Sequence, residues 1–419
     1  MLNKIINSLN QNSINLYLIN EESESTYEMF FIKKRLDMRR MKNVKKYEVT
    51  VYKDFFKDGE KMRGSAICNI YPDMTEEELS KKLSDTMAAA EFATNPYFEL
   101  PKPSDKKPDC PKQDFSSEDA LKIMSEALFA EDNEKDCFIN SAELFVKKST
   151  FHTISSEGID VSYSRQCIEG EYVIQCTIKE DVETYQDFFY DTIDPDSLRE
   201  KVKRSIELTK SRSEAEKCSL SGNIKVILSG QYTSDLLKFY LERAAASMIY
   251  PKYSDFNLNK QVQSENITGD ALNITLKSDT PYSREGIPMT ERPLLENGIL
   301  KTIHGPARFC YYLNTEATGL YEGIKVNLGN KSLKEMENGK YLHIVNFSDF
   351  QMDAMSGKFG GEFRLAFYSD GTKIIPITGG SISGSILELG GNLHLSSEPQ
   401  VLKGYEGPMA VEIENVNVG

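Results

Sequence analysis

The chain has 419 residues, of which 39% are apolar and 27% charged, and its formal net charge is −14. It is too apolar for a disordered chain and too polar for a membrane protein. A field of that sign repels a phosphate backbone, so direct nucleic-acid binding is not expected.

At roughly 150 residues per domain, the length predicts two or three domains. No run approaches the about 18–20 consecutive apolar residues that a membrane span requires. The opening MLNKIINSLNQNSINLYLIN is broken by Asn and Ser, without the apolar core or cleavage site of a signal peptide. Cys68, Cys110, Cys137, Cys167, Cys176, Cys218 and Cys310 are odd in number and never spaced C-x-x-C. That pattern predicts reduced thiols and a cytoplasmic protein.

In chain order, residues 2–11 predict a short helix, and apolar runs follow at 14–19 and 27–32. The alternating stretch 47–56, the turn KDGE at 57–60 and the run 61–71 predict a hairpin. Thr75 and Glu78 have capping-box spacing. Leu79, Leu83, Met87 and Ala90 then carry a helix to about Phe92. Five prolines make 96–114 an exposed connection. A helix at 117–130, capped by Ser116 or Ser117, precedes strands at 138–148, 158–167 and 171–180. Asp194 and Pro195 then start an amphipathic helix at 196–212. Strands followed by a capped helix thus occur twice before residue 215. The expected fold is α+β, with an N-terminal domain over 1–215 built on an internal duplication; two unrelated strand-to-helix segments are the alternative.

Beyond Ser219 the pattern changes. A strand at 224–228 ends at Ser229-Gly230 and leads into one helix at about 232–248. From 270 onward short strands and glycine turns dominate, including an Asn-Gly hairpin in 294–303, strands at 341–347 and 362–368, and an Asp370-Gly371 turn before 373–378. Such density predicts a β-rich, barrel- or sandwich-like C-terminal domain over 220–419.

Chemistry-bearing patterns are sparse. His152, His304, His343 and His394 are the only histidines, and no two stand at i,i+4. A helical zinc motif H-E-x-x-H is therefore absent; surface or strand-filling roles are expected for all four, with a zinc site assembled across the fold from scattered histidines as the alternative. His304 and Cys310 flank a Gly-Pro turn and are a candidate Cys–His dyad, set against simple burial of the thiol. Asp349 and Asp353 are a carboxylate pair of the kind that holds a cation, although spacing alone does not support it. The glycine clusters 357–361 and 379–391 match no phosphate-binding loop and are expected at turns and bulges. The run 33–46 has eight basic residues and no interleaved aromatics. It reads as a solvated strand face or a subunit contact.

Three segments, 284–320 (REGIPMTERPLLENGILKTIHGPARFCYYLNTEATGL), 324–336 (IKVNLGNKSLKEM) and 356–388 (SGKFGGEFRLAFYSDGTKIIPITGGSISGSILE), form an ordered set. With RGSA at 63–66 in the N-terminal hairpin, the chain resembles the TldD/PmbA family, whose PmbA members are also called TldE. The resemblance covers essentially the whole chain and is specific in the order of its motifs. It implies a peptidase system in which a TldD-type subunit carries a zinc-binding H-E-x-x-x-H helix and a cysteine ligand near the C-terminus. A TldE/PmbA-type subunit lacks these groups. PmbA is also described as a modulator of DNA gyrase.

By position, Lys238 and Arg243 stand where that family has its two zinc histidines, and Phe239 replaces the glutamate base. Zinc requires a donor lone pair, and the last segment, 400–419, has no cysteine. The resemblance therefore implies a TldE/PmbA-like subunit with no catalytic residue or metal ligand of its own. Zinc is expected in a TldD-like partner, and unfolded or peptide substrate is expected to bind as an added strand. Three alternatives are a stand-alone hydrolase with a non-standard site, a gyrase-directed protein-binding factor, and a homodimer using the same partner surface.

Overall fold

Two copies of one helix–three-strand–helix unit build the N-terminal half. The computed structural model describes residues 1–109 and 114–419. The first unit is α1 (Leu2–Gln11), β1 (Tyr17–Ile32), β2 (Arg35–Lys57), β3 (Glu60–Ile70) and α2 (Glu76–Phe92). The second is α3 (Ser117–Leu128), β4 (Cys137–Ser155), β5 (Asp160–Cys176), β6 (Val182–Tyr190) and α4 (Pro195–Ser213). The six strands form one antiparallel sheet in the order β3-β2-β1-β4-β5-β6, with the first strands of the two units paired at its centre. Each unit buries its own cluster. Ile5, Leu9, Val49, Leu79 and Leu83 pack together in the first. Leu144, Ile168, Tyr172, Leu198 and Val202 do so in the second.

Local sequence sets the helix starts. Thr75 Oγ1 accepts from Glu78 N at 3.2 Å, and Glu78 Oε2 accepts from Thr75 N at 2.9 Å. Ser116 caps α3, accepting from Asp119 N at 3.3 Å. Asp194 caps α4 with Pro195 at the first helical position.

The strand boundaries differ from the sequence reading. The runs 158–167 and 171–180 belong to one strand, β5, and β6 was not foreseen. Gly170 marks a close approach rather than a turn. A Cβ there would lie 2.2 Å from Glu143 O and 2.6 Å from Phe188 Cζ, so the sheet and the Phe188 ring require a glycine.

The connection after α2 is only partly exposed, because Phe98 and Leu100 bury against Leu18 and Tyr52. Arg63 fixes it: the guanidinium grips Asp54 at 2.6 and 2.9 Å and donates to Phe98 O at 2.7 Å. Cys110 and Pro111 lie outside the described residues.

The C-terminal half continues with β7 (Glu216–Lys217), β8 (Gly222–Ser229), α5 (Gln231–Arg243), α6 (Ala246–Ile249), β9 (Ile274–Lys277), β10 (Arg292–Glu296), β11 (Ile299–Leu300), α7 (Ala307–Tyr312), β12 (Gly323–Val326) and α8 (Leu333–Met336). It ends with β13 (Lys340–Met352), β14 (Lys358–Asp370), β15 (Ile374–Thr378), β16 (Gly380–Ser385), α9 (Ile386–Leu389), β17 (His394–Leu395), β18 (Pro399–Leu402), β19 (Tyr405–Pro408) and β20 (Ala410–Val418). The strands β13-β8-β20-β16-β14 close into a barrel, because β14 pairs with β13 as well as with β16. A smaller sheet, β11-β10-β9-β12-β19-β18, stands beside it. One large apolar core joins the barrel, α5 and the smaller sheet. The fold is α+β, with a barrel rather than a sandwich in the C-terminal half.

The helix expected at about 232–248 is two helices. Ala245 leaves helical geometry at φ −68°, ψ 133°, and Ala246 N donates to His304 O at 2.7 Å. A tertiary backbone pairing therefore overrides the high helix propensity of Ala244–Ala246. Among the described residues no helix is long and apolar enough to cross a membrane.

Candidate functional site

A cleft of about 800 Å³ opens between the N-terminal sheet and the C-terminal half. One wall is the sheet, with Glu22, Phe151, Thr153, Tyr163 and Arg165. Phe151 and Tyr163 stack with centroids 4.8 Å apart. The other wall is the 277–285 segment with Glu322, Lys403 and Gly404, and Lys238 enters from α5. Arg284 bridges the walls to Glu48 at 2.9 Å, and Arg165 lies 3.8 Å from Asp279. Glu285 Oε2 accepts from Ala307 N at 2.9 Å, and burial pushes its carboxyl above the usual range. Acidic, basic and aromatic groups thus alternate around a concave surface large enough for a short peptide.

The structure separates the three α5 residues singled out from the sequence. Lys238 and Arg243 are five positions apart, about 140° around a helix. Lys238 is half-buried and faces the cleft, with its Nζ against Gly404. Asp235 and Glu242 share its side of α5, and burial raises both carboxyls despite the nearby ammonium. Phe239 is 1% exposed and packs edge-on to Tyr240 at 5.1 Å and Phe256 at 6.1 Å. Arg243 is buried on another side. Its Nη1 donates to Ala354 O at 3.0 Å and Met355 O at 2.9 Å, its Nη2 reaches Asp255, and the guanidinium lies 5.0 Å from the Phe256 centroid. Phe239 and Arg243 offer no lone pair and do not face the cleft, so these residues do not fit a zinc ion. Among the described residues no three His, Cys, Asp or Glu side chains are grouped to hold a metal.

His304 and Cys310 do not form a dyad. His304 Nε2 bonds Leu241 O at 2.9 Å, and Nδ1 accepts from Tyr321 N at 3.2 Å. The ring is therefore neutral, with its hydrogen on Nε2. The Cys310 thiol donates instead to Gly305 O at 3.4 Å, and burial pushes its pKa up, away from the reactive thiolate.

His304 gives a pH dependence. Burial pushes its pKa down from 6.5 to about 4. Below pH 6.5 the unfolded chain binds the proton that the folded protein refuses. This contribution to stability is full above pH 6.5 and is lost as the pH falls towards about 4. The expected loss is about 3 kcal/mol. Urea denaturation of the wild type at neutral and acid pH, compared with His304→Gln, checks it: the variant should have the shallower pH slope.

The other candidates are structural. Asp353 accepts from Met355 N at 2.9 Å and Ser356 Oγ at 2.5 Å in the β13–β14 turn, while Asp349 accepts from Gln351. Gly361 lies directly under the Asp349 carbonyl, where a Cβ would be 2.0 Å from the oxygen. The basic run 33–46 covers the β1–β2 turn and the exposed first part of β2, with Lys45 paired to Glu21 and Arg40 to Glu28 across to β1. His152 bonds Asp160 at the sheet surface, and His394 sits in β17. A set that sequence reasoning missed lies outside the barrel. Ser229, His343 and Glu337 are joined in that order. Ser229 and His343 are 114 positions apart, so no local motif signals them.

A duplicated antiparallel sheet joined to a small closed barrel, with a charged cleft between them, defines the class of fold. Residues 221–419 match the PmbA/TldA metallopeptidase C-terminal domain. The C-terminal part of the chain, just under half of its length, is thus similar to the C-terminal domain of PmbA/TldA metallopeptidases. The fold is shared over almost its whole length with TldE from Thermococcus kodakarensis (TM-score 0.77, 16% identity, 99% of this chain and 100% of that one). It is also shared with a protein from Thermotoga maritima described as a candidate modulator of a DNA gyrase (TM-score 0.78, 16% identity, 100% of this chain and 99% of that one). An uncharacterized protein of Methanocaldococcus jannaschii is 25% identical over 261 residues, which are 56% of this chain. The match spans 59% of that relative's length.

Proposed function

We propose that this chain is a TldE/PmbA-like subunit of a two-component zinc peptidase, paired in the cytoplasm with a TldD-like subunit that carries the metal. The single observation that carries this reading is the chemistry of α5. Its positions equivalent to the zinc motif hold an ammonium, a buried phenyl ring and a buried guanidinium clamp. The chain's contribution is then to enclose and hold peptide. Stacked Phe151 and Tyr163 offer apolar contact, Lys238 offers an ammonium, and the buried Glu285 carboxyl offers a hydrogen-bonding group to a peptide's polar atoms. Substrates are unfolded or maturing peptides, whose extended backbones tolerate varied side chains.

The test is to assay casein and unfolded-peptide cleavage by the chain alone, by its cognate TldD-like protein alone, and by the mixture. Chelator-sensitive cleavage that appears or rises in the mixture is the expected result. Chelator-sensitive cleavage by this chain alone overturns the reading.

A further inference from the structure

On the outer face of the barrel, beneath residues 331–338, three polar side chains stand in a row. Glu337 Oε1 is 2.7 Å from His343 Nδ1, and His343 Nε2 is 2.9 Å from Ser229 Oγ. A carboxylate only accepts, so the imidazole hydrogen sits on Nδ1. In the neutral ring Nε2 is then the bare nitrogen, and the Ser229 hydroxyl donates to it. This is the tautomer a general base needs.

The strands explain the alignment. β8 and β13 run parallel with His343 opposite Ile227, so Ser229 lies two residues further along the same outward face of β8. Glu337 arrives from the C-terminal end of α8, which is held to this face by a satellite cluster of Ile227, Met336, Tyr341 and Ala410. The neighbouring carboxylate, Glu412, is occupied by Lys225 at 3.3 Å and Lys331 at 2.7 Å.

The position of Ser229 also suits a nucleophile. It ends a strand, is followed by Gly230 at φ +66°, and precedes α5, whose N-terminus has no side-chain cap. Gly230 N donates to Met409 O and Thr233 N to Gly230 O, so the positive end of the α5 dipole, rather than a preformed pair of free amides, is what favours a developing negative charge here.

We propose that Ser229, His343 and Glu337 form a serine-hydrolase triad, distinct from the cleft, that takes small carboxylic esters. Ser229 is 5% exposed and His343 4%, so a reactant that reaches them must be small. Ser229 Oγ attacks the ester carbonyl as His343 Nε2 takes its proton. The tetrahedral intermediate collapses, the ester C–O bond breaks, and the Nε2 proton passes to the departing alkoxide. Water then attacks the acyl-serine, giving a proton to Nε2, and the carboxylic acid leaves as Ser229 recovers its hydrogen. Glu337 orients the ring and balances the imidazolium formed in each half.

The experiment uses the full chain, diisopropyl fluorophosphate and peptide-mapping mass spectrometry, with zinc chelated throughout. One adduct on Ser229 is expected, with fluoride as the leaving group, and none in Ser229→Ala. Glu337→Gln is conservative and partly exposed, so it tests the relay without emptying the core. Its labelling should be roughly a hundredfold slower or more, with an unchanged melting temperature. An unlabelled Ser229 in the wild type overturns the proposal. So does labelling at an equal rate in a folded Glu337→Gln variant.

Discussion

Phe239→Glu should yield no stably folded protein. The ring is 1% exposed among Tyr240, Phe256 and the Arg243 guanidinium. Truncating a buried phenylalanine alone costs about 3–5 kcal/mol. A carboxylate at this site adds the cost of desolvating a charge, and the sum is comparable with the whole stability of a typical domain. Soluble yield and circular-dichroism melting check this. Lys238→His, one residue away but on the cleft side, should change stability by no more than about 0.5 kcal/mol. The contrast matters because Glu at 239 is the letter the zinc motif requires. Restoring the motif by sequence destroys the core before it can build a site.

The second large effect is expected at the other end of the same helix. Arg243→Ala should cost about 3 kcal/mol. The Ala354 and Met355 carbonyls would lose their shared donor, and the aromatic pair Phe239 and Phe256 would lose the cation beside it. Asp255 contributes little, since its side chain is 85% exposed. Arg243→Lys keeps a donor but not the two-carbonyl fork, and should fall between wild type and Ala. Urea midpoints at constant m-value measure the series.

Local signals in the sequence carried the helix starts. Thr75 with Glu78, and Asp194 with Pro195, satisfy orphan N–H groups by themselves, so their residues alone decide the outcome. The α+β class and the duplicated order were legible for the same reason: capped helices after strand runs recur. The site was legible only in part. Which side of α5 meets the cleft depends on what packs around it, and sequence position gave Lys238, Phe239 and Arg243 no separate fates. The break at Ala245 was hidden because an alanine run favours helix, and only the backbone pairing with His304 interrupts it. β6 and the continuity of β5 were obscured by Gly170, where a packing requirement imitates a turn. Ser229, His343 and Glu337 meet only because β8 and β13 pair in parallel across a long separation.

On the proposed reading, this chain does not itself hold a catalytic zinc ion. The most direct measurement is the metal content of the purified full chain after loading with zinc and exhaustive dialysis, by inductively coupled plasma mass spectrometry. The expected result is far below one ion per chain, unchanged in Lys238→Ala. Stoichiometric zinc that survives dialysis and is lost on altering the cleft-facing side of α5 would make this chain a zinc-binding subunit in its own right.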